Sequence, residues 1–347
     1  MVGDVMAKQL EPGSKGARLA QKIYRSSGID TRYSAIHDLG PGSGERLFFD
    51  KAGHFLSPST KVRNDLYTEK ARPLFSKTAQ DLLAGCQAFG PEDVTHVITV
   101  SCTGFFAPGP DFYVVKDLGL KPETQRFHIG FMGCYAAFPA LKMAEAFCTA
   151  DPDAVVLVVC LELCSLHLQP SEDIDDIIAT SVFADGVGAA LVSARNPDHS
   201  QPSLQIETFA STIAPDSESD MAWTIGDHGF DMVLSTYVPR ILEANVSAIV
   251  DGLLSQKGLS REAVHHWAIH PGGRAILDKV EEGLSLEKDA LNPSRDVLSQ
   301  YGNMSSATIL FVLREMMKSA VVRPNERIYA MAFGPGLTVE SALFKRV

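Results

Sequence analysis

Val155 to Leu161 is an unbroken apolar run of valine, leucine and a cysteine. It is far too short to cross a bilayer. A strand with one wet face would alternate polar and apolar residues, so this run predicts a strand covered on both faces. Such a strand needs helical layers above and below it, and the rest of the chain supplies them. Strand-like runs at His96–Ser101, Ala154–Glu162, Gly188–Ser193, Leu204–Thr212, His265–His270, Ile328–Phe333 and Thr338–Phe344 alternate with helical stretches. The helical stretches are Lys61–Phe89, Pro108–Leu118, Cys134–Thr149, Tyr237–Gln256, Gly273–Leu284 and Ser305–Ser319. Alternation of this kind predicts an α/β architecture with mainly parallel sheets. The strand–turn–helix arrangement recurs in both halves. Asn196 to Ser203, polar and rich in turn residues, is the expected boundary, giving halves 1–201 and 202–347.

Chemistry concentrates in three segments. Phe131-Met132-Gly133-Cys134-Tyr135-Ala136-Ala137-Phe138 sets a thiol after a glycine at the start of a helical run. There the macrodipole favours thiolate over thiol. Ile269-His270-Pro271-Gly272-Gly273 ends an apolar stretch on a histidine, and Tyr301-Gly302-Asn303-Met304-Ser305 sets an asparagine ahead of another apolar helix. A thiolate accepts an acyl group, an imidazolium partner keeps sulfur ionised, and His and Asn can donate to a thioester oxygen as it becomes negative. In a hydrolytic Cys-His-Asn set, the Asn orients the His instead. Spacing alone does not separate these uses.

Together with Phe333-Gly334-Pro335-Gly336-Leu337-Thr338-Val339-Glu340, these segments resemble the type III polyketide synthases, the chalcone-synthase-like family, in its bacterial and fungal form. The resemblance runs in order from about Ser26 to the C-terminus. It implies a thiolase-like fold of two similar halves, each with a helix-covered mixed sheet and with the site between them. It also implies catalytic roles for Cys134, His270 and Asn303. Phe183 matches a phenylalanine between access tunnel and cavity. Cys102, His167, Met232 and Ser305 match positions that tune starter and chain length, and Trp223 falls near a glycine of plant members. Chalcone-forming members tend to have threonine where Cys102 and His167 stand and phenylalanine where Met232 stands. A fatty acyl starter is therefore expected over a phenylpropanoid one. Lys22, Arg25, Gly272 and Ala275 are the implied coenzyme A contacts, and Ala107 matches a residue that reaches into a partner subunit, implying a homodimer.

The implied reaction is iterative decarboxylative condensation of malonyl-CoA onto an acyl-CoA starter, then cyclisation to a pyrone, resorcinol or phloroglucinol. Coenzyme A thioesters enter as substrates, and no cofactor is implied. A ketoacyl carrier-protein synthase III-like enzyme and a catalytically silent scaffold subunit are the alternatives. Family members begin with a strand and helix ahead of the Arg32-Tyr33 region, where this chain has only a short polar segment. Either the chain is trimmed, or its first half lacks a strand that usually lies inside the sheet.

Composition narrows the partners. A formal net charge of −11 gives no electrostatic footprint for nucleic acid or anionic membrane. Without a signal-like N-terminus the expected compartment is the cytoplasm, where all six cysteines stay reduced. His265, His266 and His270 lack an acidic or thiol partner in sequence, so no metal site is expected.

Overall fold

A computed structural model describes residues 2–39, 46–196, 201–215 and 217–347. The expected boundary falls partly outside them, because 197–200 are not described. In chain order the first part comprises α1 (Val2–Ala7), α2 (Lys15–Ser26), α3 (Thr60–Gly85), β1 (His96–Ser101), α4 (Pro110–Leu118), β2 (Gln125–Gly130), α5 (Ala137–Ala150), β3 (Val155–Leu163), α6 (Ile174–Val182) and β4 (Asp185–Ser193). The second comprises β5 (Leu204–Ile213), β6 (Met221–Gly226), β7 (Gly229–Leu234), α7 (Val238–Ser255), β8 (His266–Ile269), α8 (Arg274–Leu284), α9 (Asn292–Tyr301), α10 (Thr308–Lys318), β9 (Arg327–Gly334) and β10 (Thr338–Arg346).

Two four-stranded sheets carry the fold, ordered β2-β1-β3-β4 and β5-β10-β9-β8, with β6 and β7 forming a separate hairpin. The apolar run behaves as predicted. Val156, Val158 and Cys160 of β3 face the core between the two sheets, where α5 and α10 lie. Leu157, Val159 and Leu161 face the outer core under α3 and α4. Strand period two therefore buries every residue of β3. A third core packs α7 and α8 on the outer face of β9 and β10.

The sheets are mixed rather than mainly parallel. In the second sheet only β8 and β9 run parallel; β9–β10 and β10–β5 are antiparallel. Only a three-residue turn, Pro335–Leu337, joins β9 to β10, too short for a crossover. No strand is missing from inside the first sheet, since β1 pairs directly with β3 and β3 with β4. The difference lies at the edge. β5 covers the outer edge of β10, whereas among the described residues no strand pairs with the outer edge of β4. The polar N-terminal segment forms α1, which packs on α2, and α6 covers α2 as well. Among the described residues no helix is long and apolar enough to cross a membrane.

Candidate active site

The two halves meet at a strand-like bridge between Phe183 and Asn303. Ala184 donates its N–H to the Asn303 carbonyl and Asn303 donates to Val182, both at 2.9 Å. Arg32 steadies this seam by donating to the carbonyls of Thr180, Ser181 and Phe183 at the end of α6. Freed helix-end carbonyls and a guanidinium are natural partners.

Cys134 does not open α5 directly. It sits in a 3-10 turn, Gly133–Tyr135, one residue ahead of that helix. Gly133 is required there. Its φ is +73°, and a Cβ would lie 2.5 Å from Pro335 of the second half. Non-glycine residues at positive φ stand beside both reactive segments, Phe131 at +58° and Ser305 at +46°. Such backbone is uncommon and must be held by its surroundings.

Cys134, His270 and Asn303 come together in a cavity of about 460 Å³ built from both halves. The Cys134 sulfur lies 3.8 Å from each polar atom of the Asn303 amide. That amide is oriented by its own bonds: Oδ1 accepts from the Ser305 N–H at 2.9 Å, and Nδ2 donates to the Gly272 carbonyl at 3.2 Å. The second Nδ2 hydrogen is directed at the Cys134 sulfur. His270 is 1% exposed, and among the described residues neither ring nitrogen has a partner within hydrogen-bond geometry, although the Asn303 amide lies near enough to favour its charged form. A buried polar atom without a partner is rare and costly, which marks this ring as unfinished until something else enters the cavity.

The electrostatics differ from the thiolate expected at a helix start. Burial pushes the Cys134 thiol up to about 11, against the pull of Ser305 and Asn303. Burial also draws the His270 imidazole down to about 3, with Asn303 opposing. Each group taken alone is neutral at pH 7. The helix-start thiolate expected from the sequence is therefore not favoured by this buried setting alone.

Cys102, His167, Phe183, Met232, Gly272 and Ser305 also line this cavity. Lys22 and Arg25 do not. They lie with Arg18 on the exposed face of α2, beside a separate shallow depression. Ala275 is exposed and lines neither. The three histidines of the second half diverge. His265 accepts from the Arg327 N–H, His266 pairs with Glu326, and only His270 reaches the cavity.

Sequence reasoning missed Glu162 and Phe230. Glu162 is fully buried on β3 and accepts from the Cys102 N–H (2.9 Å), Thr103 Oγ1 (2.9 Å) and Ser306 Oγ (2.6 Å). Burial outweighs these donors and raises its carboxyl to about 7. An acid inside an otherwise apolar run was the available signal. Phe230 stacks on His167 at 4.0 Å between ring centroids, inside the cavity wall.

Comparison with known proteins gives the family and the fold. Residues 48–197 match the family described as Chalcone and stilbene synthases, N-terminal domain, and residues 205–347 match its C-terminal domain. The alpha-pyrone synthesis polyketide synthase-like Pks18 of Mycobacterium tuberculosis is 32% identical over 339 residues, covering 96% of this chain and 84% of that protein. Among solved structures, PKS-I from the brown alga Ectocarpus siliculosus superposes with a TM-score of 0.91 at 32% identity, covering 99% of this chain and 93% of that one. The 1,3,6,8-tetrahydroxynaphthalene synthase of Streptomyces coelicolor gives 0.87 at 26% identity, covering 99% and 94%. With both domains matched in order and the fold shared along nearly its whole length, the chain belongs to the chalcone and stilbene synthase family, the type III polyketide synthases, condensing acyltransferases of thiolase-like fold.

Proposed function

We propose that this chain extends an acyl-CoA starter, medium or long and aliphatic, with malonyl-CoA units and cyclises the product to a pyrone, resorcinol or phloroglucinol. The observation that carries the reading is the unpartnered, buried His270 beside an oriented Asn303 and the Cys134 thiol in one cavity. In loading, the Cys134 proton passes to His270, sulfur attacks the starter thioester carbonyl, and the departing coenzyme A thiolate takes up that proton. Malonyl-CoA then loses carbon dioxide. The negative oxygen of the resulting enolate takes hydrogen bonds from His270 and from the Nδ2 hydrogen of Asn303 that otherwise faces the Cys134 sulfur. The carbanion attacks the acyl-cysteine and frees the sulfur, and the extended chain returns from coenzyme A to Cys134 for another round.

Support for an aliphatic starter comes from the apolar wall of Met232, Trp223, Phe230 and Leu168, and support for pyrone closure from the alpha-pyrone relative. Methionine adapts its shape to an alkyl chain more readily than a branched residue does. Support for coenzyme A comes from α2. Arg18, Lys22 and Arg25 have no ion-pair partner among the described residues, which offers phosphates a local basic patch on an acidic chain. A homodimer in the cytoplasm, with Ala107 at the subunit contact, completes the reading. Mass spectrometry of products from malonyl-CoA and a panel of aliphatic and aromatic acyl-CoAs tests it. Chain-extended cyclic products from aliphatic starters are expected. Preference for coumaroyl-CoA over every fatty acyl-CoA in mixed assays would overturn the starter assignment.

A further inference from the structure

The β6–β7 hairpin forms one wall of the cavity, with the cross-strand pair Trp223 and Met232 and the neighbouring Phe230 all lining it. Among the described residues the hairpin has no further strand beside it. An isolated two-stranded hairpin is at best marginal, so its position depends on what holds it to the rest of the protein. His167 is placed to do this. It ends the 3-10 turn Cys164–His167 that follows β3.

The Phe230 N–H donates to His167 Nδ1 at 3.0 Å, and His167 Nε2 lies 2.8 Å from the Thr103 carbonyl. A backbone N–H can only donate, so Nδ1 is the acceptor and the ring proton sits on Nε2, aimed at Thr103. The ring therefore bridges β7 and the turn after β1 with two backbone bonds. It also stacks on Phe230 and meets Trp223 edge-on at 5.4 Å between centroids. Trp223 adds a parallel tie, donating Nε1–H to the Cys102 carbonyl at 2.8 Å. Both ties end on the same two-residue turn.

We propose that His167 is a positioning residue whose two backbone bonds latch the β6–β7 hairpin to the Cys102–Thr103 turn and so set the longest acyl chain the cavity admits. This rests on the cavity being the acyl pocket and adds what fixes its length. The mechanism is polar rather than steric. Without the imidazole, the Phe230 N–H and Thr103 carbonyl lose their partners, and the hairpin, still held at its turn by Thr60 through Asp227 and Gly229, is freed to shift at the face that lines the cavity.

His167→Phe separates the latch from space filling, since it keeps an aromatic ring against Phe230 and removes both bonds. His167→Gln restores a donor toward Thr103. In the Phe variant, kcat/KM for starters just beyond the wild-type cut-off should rise about tenfold, through KM, and amide exchange across 221–234 should quicken by about tenfold, the scale set by one buried hydrogen bond. The Gln variant should fall between. A folded Phe variant with the wild-type cut-off and wild-type exchange would overturn the latch. Should that variant fail to fold, Trp223→Phe removes only the parallel tie; a longer cut-off is again expected, and an unchanged one counts against the idea. Wild-type protein that releases no carbon dioxide from malonyl-CoA would defeat the functional reading instead, and hairpin exchange in His167→Phe would then decide the latch alone.

Discussion

Two buried histidines face the same cavity, one from each half, and they differ in one respect. His167 spends both ring nitrogens on backbone groups, whereas among the described residues neither nitrogen of His270 has a hydrogen-bond partner. Burial draws both imidazoles down to about 3, so ionisation does not tell them apart. Hydrogen-bond satisfaction does. A buried ring with its bonds made belongs to the frame, and a buried ring with none made is held ready for a partner. The same division runs through the site. Glu162 has its carboxyl oxygens occupied by Cys102, Thr103 and Ser306, while Asn303 turns its second Nδ2 hydrogen toward the Cys134 sulfur over a long 3.8 Å contact.

Cys134→Ala should produce the largest change that isolates one part of the reacting end. Product formation should fall by about ten-thousandfold or more, because no other side chain carries the acyl group. Carbon dioxide release from malonyl-CoA should persist, since His270 and Asn303 remain. Parallel mass spectrometry and bicarbonate assays check both, and loss of decarboxylation with condensation would merge roles that the geometry separates.

Removing the base sharpens the contrast further. In His270→Ala the burial that raises the Cys134 thiol remains, and the ring that would take its proton is gone. Iodoacetamide alkylation of Cys134 at pH 7 should slow by at least about tenfold relative to wild type and then climb about tenfold per pH unit up to pH 9. Peptide mapping reads this directly. A variant alkylated as fast as wild type would mean that the sulfur owes nothing to the ring.

The sequence made one end of the site far more legible than the other. Cys134, His270 and Asn303 each sit in a glycine-marked turn at an element boundary, so local patterning exposes them. His167 depends on backbone groups 64 and 63 residues away, and Glu162 on Ser306 in the other half, which no local pattern encodes. The same reason explains most of the fold. β3 was readable because both faces are apolar, and β5, β9 and β10 because they pack on the cores. The β6–β7 hairpin was not, since its Trp223 and Met232 face a cavity and its Asp227-His228 turn lacks a glycine in the two-residue loop. β2, an edge strand of sequence Gln-Arg-Phe-His-Ile-Gly, was hidden by its polarity. α9 buries only Ser294, Val297 and Leu298, too thin a stripe to show periodicity.

A smaller effect tests whether Glu162 belongs with the frame. Its folded-state pKa, about 7, lies above the ordinary 4.5. The folded protein therefore holds this proton more tightly, and the contribution is full below pH 4.5 and lost as pH rises through 7. The window is on the order of 3 kcal/mol. Denaturant unfolding at pH 5 and pH 8 should show a drop that Glu162→Gln reduces. An identical drop in the variant would assign it to other groups.

The most direct test of the division is malonyl-CoA decarboxylation by two single variants, His270→Ala and His167→Phe, each confirmed as folded. The unpartnered ring should matter to the developing enolate and the bonded ring should not touch it. The account predicts a loss of about a hundredfold or more in kcat for His270→Ala and less than about tenfold for His167→Phe. Equal losses in the two variants, or the larger loss at His167, would contradict it.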